Sequence, residues 1–157
     1  MKQNIALVTG GLSGEAVISY KTVVTINNNL DRNLFNVYII DINAEGWWYE
    51  LPDGRKVEIE KNDFSLILDN EKITFDAVFI GMHGTPGEDG KLQGYLDMLK
   101  IPYTGCDAAT SSLTFNKRYA VAVAGMAGIA VAKSVLLIKN NFENPDEIIN
   151  TLKFPVF

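Results

Sequence analysis

The sequence has little of what several protein classes require. Its 157 residues include one cysteine, Cys106, so no disulfide can form within the chain. This favours a reducing compartment, and we expect a cytoplasmic protein in which Cys106 is a small packing residue. No apolar run reaches the roughly 18 residues of a membrane helix, and the amino terminus lacks the apolar region and cleavage site of a signal peptide. We therefore expect no membrane partner.

Positive charge is also scarce. Lysine and arginine total 14 against 19 aspartate and glutamate residues, which gives a net charge of −5 and a pI near 4.8. A nucleic-acid-binding surface needs clustered basic residues, and the chain has no such cluster, so we expect no nucleic-acid partner. Internal repeats and low-complexity tracts are absent too. Hydrophobic residues make up 47% of the chain, enough for a packed core.

Short apolar runs alternate with helical patterns along the first two thirds of the chain. Ile5–Val8 predicts a buried strand, and Ser13 is expected to cap a helix that continues to about Leu30, with Glu15 in its first turn. The other predicted elements are strands at Phe35–Ile42, Phe75–Met82 and Ile101–Thr104 and a helix at Lys91–Leu99. Two β-hairpins are predicted within this series, Trp48–Leu51 with Lys56–Ile59, and Ser65–Leu68 with Lys72–Phe75.

This alternation predicts the fold class. Strands that alternate with helices favour an α/β domain with a mainly parallel, Rossmann-like sheet and helices on both faces. The hairpins are expected as an antiparallel insertion. We assign this domain to residues 1–105.

The composition changes after Gly105, and we assign residues 106–157 to the incomplete beginning of a second domain. The pattern there predicts helices over Asp107–Ser112 and Asn116–Gly125, a strand over Val131–Ile138, and a helix capped by Asn144 that runs to Leu152. The chain stops within an apolar segment, Phe154–Phe157, that resembles the start of a strand, which suggests truncation.

Two loops carry the candidate chemistry, Gly10–Glu15 and His83–Gly90, and each follows a predicted parallel strand. Ligands of open α/β sheets bind outside the carboxyl ends of the strands, so both loops are expected at one edge. Glu15 can pair with an ammonium group, His83 can bind a carboxylate, and glycine N–H groups can approach an anion. Together these groups suit a zwitterion, namely an amino acid.

Each of these features also has a purely structural explanation. Gly10-Gly11 can be a simple strand–helix turn, since it lacks the G-x-G-x-x-G spacing of dinucleotide sites. Glu15 can be a capping residue, and His83 a loop residue with internal partners. For the acidic pair Glu88-Asp89 we favour helix N-terminal charge over metal binding, and we predict no metal site.

The second loop carries a more specific motif. The stretch from His83 to Gly94, HGTPGEDGKLQG, resembles the first signature of D-alanine–D-alanine ligases, H-G-x-x-G-E-D-G-x-[apolar]-Q-G. Three further elements resemble that family in the expected order: GGLSGE at residues 10–15, YTG at 103–105, and Phe115-Asn116-Lys117, which in the family opens the ATP-binding domain. The resemblance covers the whole chain but about half of a typical family member.

This resemblance implies roles for particular residues. Glu15 would hold the ammonium group of the first D-alanine and His83 would lie near its carboxylate, so both are the candidate catalytic residues. Lys117 would reach a phosphate of ATP. The candidate substrate-binding residues are Gly10, Gly11, Ser13, Glu15, His83 and Gly84. A departure follows Glu15, where Ala16–Tyr20 (AVISY) replaces a V-S-L-like stretch and keeps a polar residue at Ser19.

The resembled enzyme joins two D-alanines for peptidoglycan synthesis. ATP with Mg²⁺ converts the first carboxylate to an acyl phosphate, which the second amine attacks. The implied partners are D-alanine, ATP and a second copy in a homodimer. In the resembled family, the carboxylates that bind Mg²⁺ and most of the ATP site come later in the sequence. We therefore expect this chain alone to bind neither ATP nor Mg²⁺ and to have no ligase activity. The open alternatives are a D-alanine–D-lactate ligase, another carboxylate–amine ligase, a flavodoxin-like or nucleotide-binding domain, and a non-catalytic small-molecule binding module.

Overall fold

The computed structural model describes residues 2–139 and 145–152. Its contacts divide the chain into two compact units, Met1–Phe115 and Asn116–Phe157, which are described separately below. The predicted cap Asn144 and the apolar segment Phe154–Phe157 lie outside the described residues.

The first unit is built on a five-stranded sheet in the order β4-β3-β2-β1-β7. Strand β1 is central and pairs in parallel with β2 on one side and β7 on the other. The predicted mixed α/β fold with a mainly parallel central sheet is therefore confirmed. The strands are β1 (Gln3–Gly10), β2 (Phe35–Asn43), β3 (Gly46–Glu50), β4 (Lys56–Glu58) and β7 (Ala77–Ile80), and the helices are α1 (Ala16–Asn29), α2 (Lys91–Leu99) and α3 (Ala108–Phe115).

The buried strand β1 separates two layers of helix packing. Ala6 and Val8 belong to the main core cluster, which also contains Leu92 and Leu96 of α2. Since side chains alternate along a strand, Leu7 faces the opposite layer, where α1 packs against β1. Helices thus cover both faces of the sheet, as the strand–helix alternation predicted.

Both predicted hairpins form. Strands β3 and β4 pair in antiparallel fashion and extend the main sheet beyond β2. Strands β5 (Leu66–Leu68) and β6 (Glu71–Ile73) form a separate two-stranded sheet. The predicted strand at Ile101–Thr104 is reduced to a single parallel bridge between Tyr103 and Val78, held by a hydrogen bond on each side of Val78. Cys106, three residues after this bridge, is exposed, so the prediction that it is a buried or half-buried packing residue is wrong.

The second unit contains helix α4 (Lys117–Met126) and helix α5 (Pro145–Thr151) within its described residues. Asn116 caps α4, because its side chain accepts from the N–H groups of Arg118 and Tyr119. The prediction of a strand at Val131–Ile138 is wrong, since residues 131–137 form no strand and Ile138 has only an isolated bridge. In the part of the chain that the structure describes, no helix is long and apolar enough to cross a membrane.

Candidate functional site

The two glycine-containing loops lie side by side at one edge of the sheet. The preceding strands β1 and β7 are adjacent and parallel, so both loops leave the sheet at the same edge. The loops are joined by a hydrogen bond from the Leu12 N–H to the Thr85 carbonyl at 2.8 Å. A Cβ atom on Gly11 would lie 3.2 Å from the His83 carbonyl oxygen. The structure therefore brings together the two segments that the sequence places 68 positions apart, from Glu15 to His83 (83 − 15).

Glu15 is exposed at the beginning of α1. It occupies the cap position itself, and the Ser13 hydroxyl accepts from the Glu15 N–H at 3.3 Å. The prediction that Ser13 is the helix cap, with Glu15 in the first turn, is therefore wrong by about two positions. Residues 12–15 form a bend and a turn, so the first helical residue is Ala16.

The carboxylate of Glu15 adjoins the second loop at Gly84. A Cβ atom on Gly84 would lie 2.5 Å from Glu15 Oε2 and 2.4 Å from Ser13 Oγ. Gly84 also has a φ of +71°, which is unfavourable for a side chain. Both observations explain why a glycine follows His83. They also place the Glu15 carboxylate and the Ser13 hydroxyl directly beside the His83–Gly84 backbone.

His83 is half-buried and contacts α1 twice. Its N–H donates to Ser19 Oγ at 2.9 Å, and its ring Nε2 lies 3.0 Å from Thr22 Oγ1. The other ring nitrogen, Nδ1, lies 3.9 Å from the nearer carboxylate oxygen of Glu88. The imidazole is thus held from one side, and its Nδ1 edge has no partner within ordinary hydrogen-bond distance among these groups.

Two of the loop glycine amides that were candidates for binding an anion donate within the protein. The Gly11 N–H donates to the Ile42 carbonyl at 2.8 Å, and the Gly84 N–H donates to Glu88 Oε2 at 2.7 Å. Gly10 has a φ of +92° and approaches Asp41 and Ile42 more closely than a Cβ atom permits. These three glycines therefore shape the two loops, and the side chains of Ser13, Glu15 and His83 are the candidate ligand contacts beside them.

The acidic pair Glu88-Asp89 forms hydrogen bonds with other residues of the second loop. We predicted that these carboxylates serve the helix N-terminus, and this holds for Asp89 alone, which accepts from the N–H of Lys91, the first residue of α2, at 3.3 Å. Asp89 also accepts from Thr85 Oγ1 at 2.6 Å, whereas Glu88 accepts from the Gly84 N–H within the loop. Burial would raise the pKa of Asp89, but the hydrogen bonds from Lys91 and Thr85 outweigh it and lower that pKa.

Lys117 belongs to the second unit. It is the first residue of α4, is exposed, and is followed by the exposed Arg118. Two cations at a helix N-terminus suit phosphate oxygens. The described residues contain no group of three or more His, Cys, Asp or Glu side chains that could hold a metal ion.

Thr22 was missed in the sequence, and the contacts of Ser19 and Glu88 that hold the site together were not predicted. Ser19 and Thr22 are a polar pair spaced three residues apart on the inner face of a predicted helix, which is the available signal. Glu88 was noted, but its partner Gly84 was not predicted. Hydrogen bonds between segments distant in sequence have no local pattern that identifies both partners.

An α/β domain with polar side chains gathered where two neighbouring parallel strands end is typical of the small-ligand domains of enzymes. The chain belongs to a family of this class, since residues 4–106 match the family described as D-ala D-ala ligase N-terminus. The match ends close to the predicted domain boundary at residue 105, whereas the compact unit ends at Phe115.

Known ligases resemble the chain along its whole length. It is 41% identical over 157 residues to the D-alanine–D-alanine ligase of Phocaeicola vulgatus, covering all of this chain and 48% of that protein. The structure of D-alanyl-alanine synthetase A from Vibrio cholerae superposes with a TM-score of 0.75 and 31% identity over 84% of this chain and 39% of that one. The structure of VanG D-Ala:D-Ser ligase from Enterococcus faecalis superposes with a TM-score of 0.73 and 26% identity over 85% and 44%. The chain thus spans about half the length of the curated relatives it matches.

Proposed function

We propose that this chain supplies the binding site for the first D-alanine of an ATP-dependent D-alanine–D-alanine ligase. The observation that carries the proposal is the close approach of the Glu15 carboxylate and the Ser13 hydroxyl to Gly84, the residue after His83. At the carboxyl edge of the parallel sheet, the Glu15 carboxylate can accept hydrogen bonds and the nearby His83 imidazole can donate one. A free amino acid has an ammonium group that suits the carboxylate and a carboxylate that suits the imidazole as a hydrogen-bond donor.

Each side chain has one proposed task. The Glu15 carboxylate accepts hydrogen bonds from the substrate ammonium group, a charge-assisted pairing that also orients the amino acid. The His83 ring donates to the substrate carboxylate from its Nδ1 edge. Ser13 and Gly84 define the space between them, Ser13 with its hydroxyl and Gly84 with its lack of a side chain. The carboxylate to be activated is then held in a fixed position.

The proposed partners beyond D-alanine are ATP and a second copy of the protein, and the proposed compartment is the cytoplasm. ATP with Mg²⁺ supplies the phosphoryl group that activates a carboxylate, because an amide bond does not form spontaneously from a carboxylate and an ammonium group. Lys117, with Arg118 beside it at the start of α4, is the residue we propose for contact with ATP phosphate. The Mg²⁺ ligands are expected outside the described residues.

A second candidate concerns the acceptor. The similarity to VanG D-Ala:D-Ser ligase favours a ligase whose second substrate is not D-alanine as an alternative. The names of both kinds of ligase include D-alanine as one substrate. The proposed roles of Glu15 and His83 are the same in both candidates, since they concern that shared substrate.

Calorimetric titration of the chain with D-alanine tests the proposal. We expect saturable binding of D-alanine that exceeds binding of L-alanine, and a loss of about 10- to 100-fold in affinity for Glu15→Gln, the range expected for a hydrogen bond to a charged group. Glu45→Gln is the matched control, because Glu45 is also exposed but belongs to the turn between β2 and β3. Equal affinity of Glu15→Gln and the unaltered chain would refute the assignment.

A further inference from the structure

One face of α1 contacts both the backbone and the ring of His83. Ser19, fully buried, accepts from the His83 N–H at 2.9 Å and donates to the Glu15 carbonyl at 3.4 Å. A single hydroxyl therefore joins the backbones of the two proposed substrate-binding residues. Thr22, one turn further along the same face, lies 3.0 Å from Nε2 of the ring. Neither residue has an assigned role in the proposed function.

The surroundings of the ring distinguish its two neutral tautomers. A carboxylate accepts hydrogen bonds but cannot donate one, and the carboxylate of Glu88 faces Nδ1 at 3.9 Å. This favours a proton on Nδ1. Nε2 is then an acceptor, and the Thr22 hydroxyl, which can either donate or accept, donates to it.

We propose that Thr22 is a positioning residue that fixes the orientation of His83 and, by donating to Nε2, stabilises the Nδ1–H tautomer that the Glu88 carboxylate favours, with Ser19 fixing the backbone beneath it. The inference rests on the proposed function in one respect, namely that the Nδ1–H group is the donor offered to the substrate carboxylate. At 3.9 Å the Glu88 oxygen is too far away to form an ordinary hydrogen bond with Nδ1. A ligand oxygen can therefore take that hydrogen without displacing Glu88.

The chain contains one histidine, so its ring can be observed directly. In two-bond ¹H–¹⁵N correlation spectra, recorded about two pH units above the ordinary histidine pKa of about 6.5, we expect Nε2 as the unprotonated nitrogen and Nδ1 as the protonated one. Thr22→Val, which removes the hydroxyl but keeps the shape, is expected to shift the ring toward a mixture of tautomers. Thr22→Ser, which restores the hydroxyl, is expected to restore the single tautomer.

Thr25→Val is the matched control, since Thr25 lies on the same helix but is exposed and bonds to the Lys21 carbonyl. A protonated Nε2 in the unaltered chain, or an unchanged spectrum in Thr22→Val, would overturn the proposal. Backbone amide spectra of each variant show whether it is folded. If Thr22→Val is not folded, the Thr22→Ser spectrum and the tautomer of the unaltered chain still decide the outcome.

Binding measurements separate this inference from the proposed function. Thr22→Val is expected to weaken D-alanine binding by roughly 2- to 10-fold, the effect of one neutral hydrogen bond, and Thr22→Ser to recover most of the loss. If the unaltered chain shows the Nδ1–H tautomer and its dependence on Thr22 but does not bind D-alanine, the proposed function fails and the positioning role stands. If D-alanine binds and the tautomer is independent of Thr22, the positioning role fails alone.

Discussion

At the scale of single residues, Gly84 is the glycine whose missing side chain leaves room for the Glu15 carboxylate. Its φ of +71° lies in the left-handed region, and the space that a side chain would fill is taken by Ser13 Oγ and Glu15 Oε2. Both obstructing atoms are at the ends of side chains, so they can move. A side chain at position 84 is therefore expected to displace the Glu15 carboxylate rather than to prevent folding.

Gly84→Ala is predicted to reduce D-alanine affinity much more than it reduces stability. The left-handed backbone costs about 1–2 kcal/mol of unfolding free energy for a residue with a Cβ atom, while the displaced carboxylate loses its charge-assisted contact with the ligand, an affinity loss of about 10-fold or more. Denaturant unfolding and calorimetry measure the two effects. Gly54→Ala is the control, because Gly54 has a φ of +85° with no heavy atom within 4 Å of its Cβ position. Equal affinity losses in the two variants would contradict the steric explanation.

At the scale of elements, α1 connects the two loops of the site. Glu15 precedes its first turn, and Ser19 and Thr22 on its inner face hold His83, which follows β7. The position of the imidazole relative to the carboxylate is therefore determined by how α1 packs on the sheet. Val23 on the same helix is buried and lies near Gly81, where a Cβ atom would come within 2.7 Å of it.

Helix α2 is attached to the segment before β5 through Tyr95. Its ring packs edge-on against Trp47 and Phe64, and its hydroxyl donates to the Lys61 carbonyl at 2.7 Å. Burial raises the pKa of Tyr95 to about 12, with a further contribution from the negative charge of Asp63. The folded chain therefore keeps this proton at a pH where the unfolded chain, with a tyrosine pKa near 10, has lost it.

Tyr95→Phe is predicted to lower the free energy of unfolding by about 1 kcal/mol at neutral pH, the net value of one hydrogen bond. Between pH 10 and 12 the unfolded state binds fewer protons than the folded state, so the contribution of Tyr95 falls as the pH rises. The stability difference between the unaltered chain and the variant should therefore narrow over that interval. Denaturant unfolding at neutral pH and above pH 10 checks this, with the exposed Tyr119→Phe as control. A difference that widens with pH would contradict the assignment.

At the scale of the whole molecule, the sequence predicted those strands, helices and turns whose formation depends on residues close to one another in the chain. The run Ile5–Val8 and the Asp53-Gly54 turn identified β1 and the first hairpin, because burial and turn geometry depend on neighbouring residues. The strand predicted at Val131–Ile138 is reduced to a bridge at Ile138, because strand formation depends on backbone partners distant in sequence, which an apolar run does not reveal.

In the candidate site, too, some features could be predicted from the sequence and others could not. Glu15 and His83 could be placed at one edge from the order of strands and helices, which fixes the direction of the strands. The partners of the loop amides could not be predicted, because Gly11 bonds to β2 and Gly84 to Glu88. Those bonds form through the three-dimensional approach of segments, and they remove the Gly11 and Gly84 amides from the groups that can bind a ligand.

The most direct test of the central claim is an NMR titration of the ¹⁵N-labelled chain with D-alanine, in which the backbone amides and the ring of His83 are followed together. If Glu15 and His83 form one site for a zwitterion, the signals of both loops and of the imidazole shift along a single saturation curve, and L-alanine shifts them less. Shifts confined to one loop, different saturation curves for the two loops, or equal responses to the two enantiomers would contradict it.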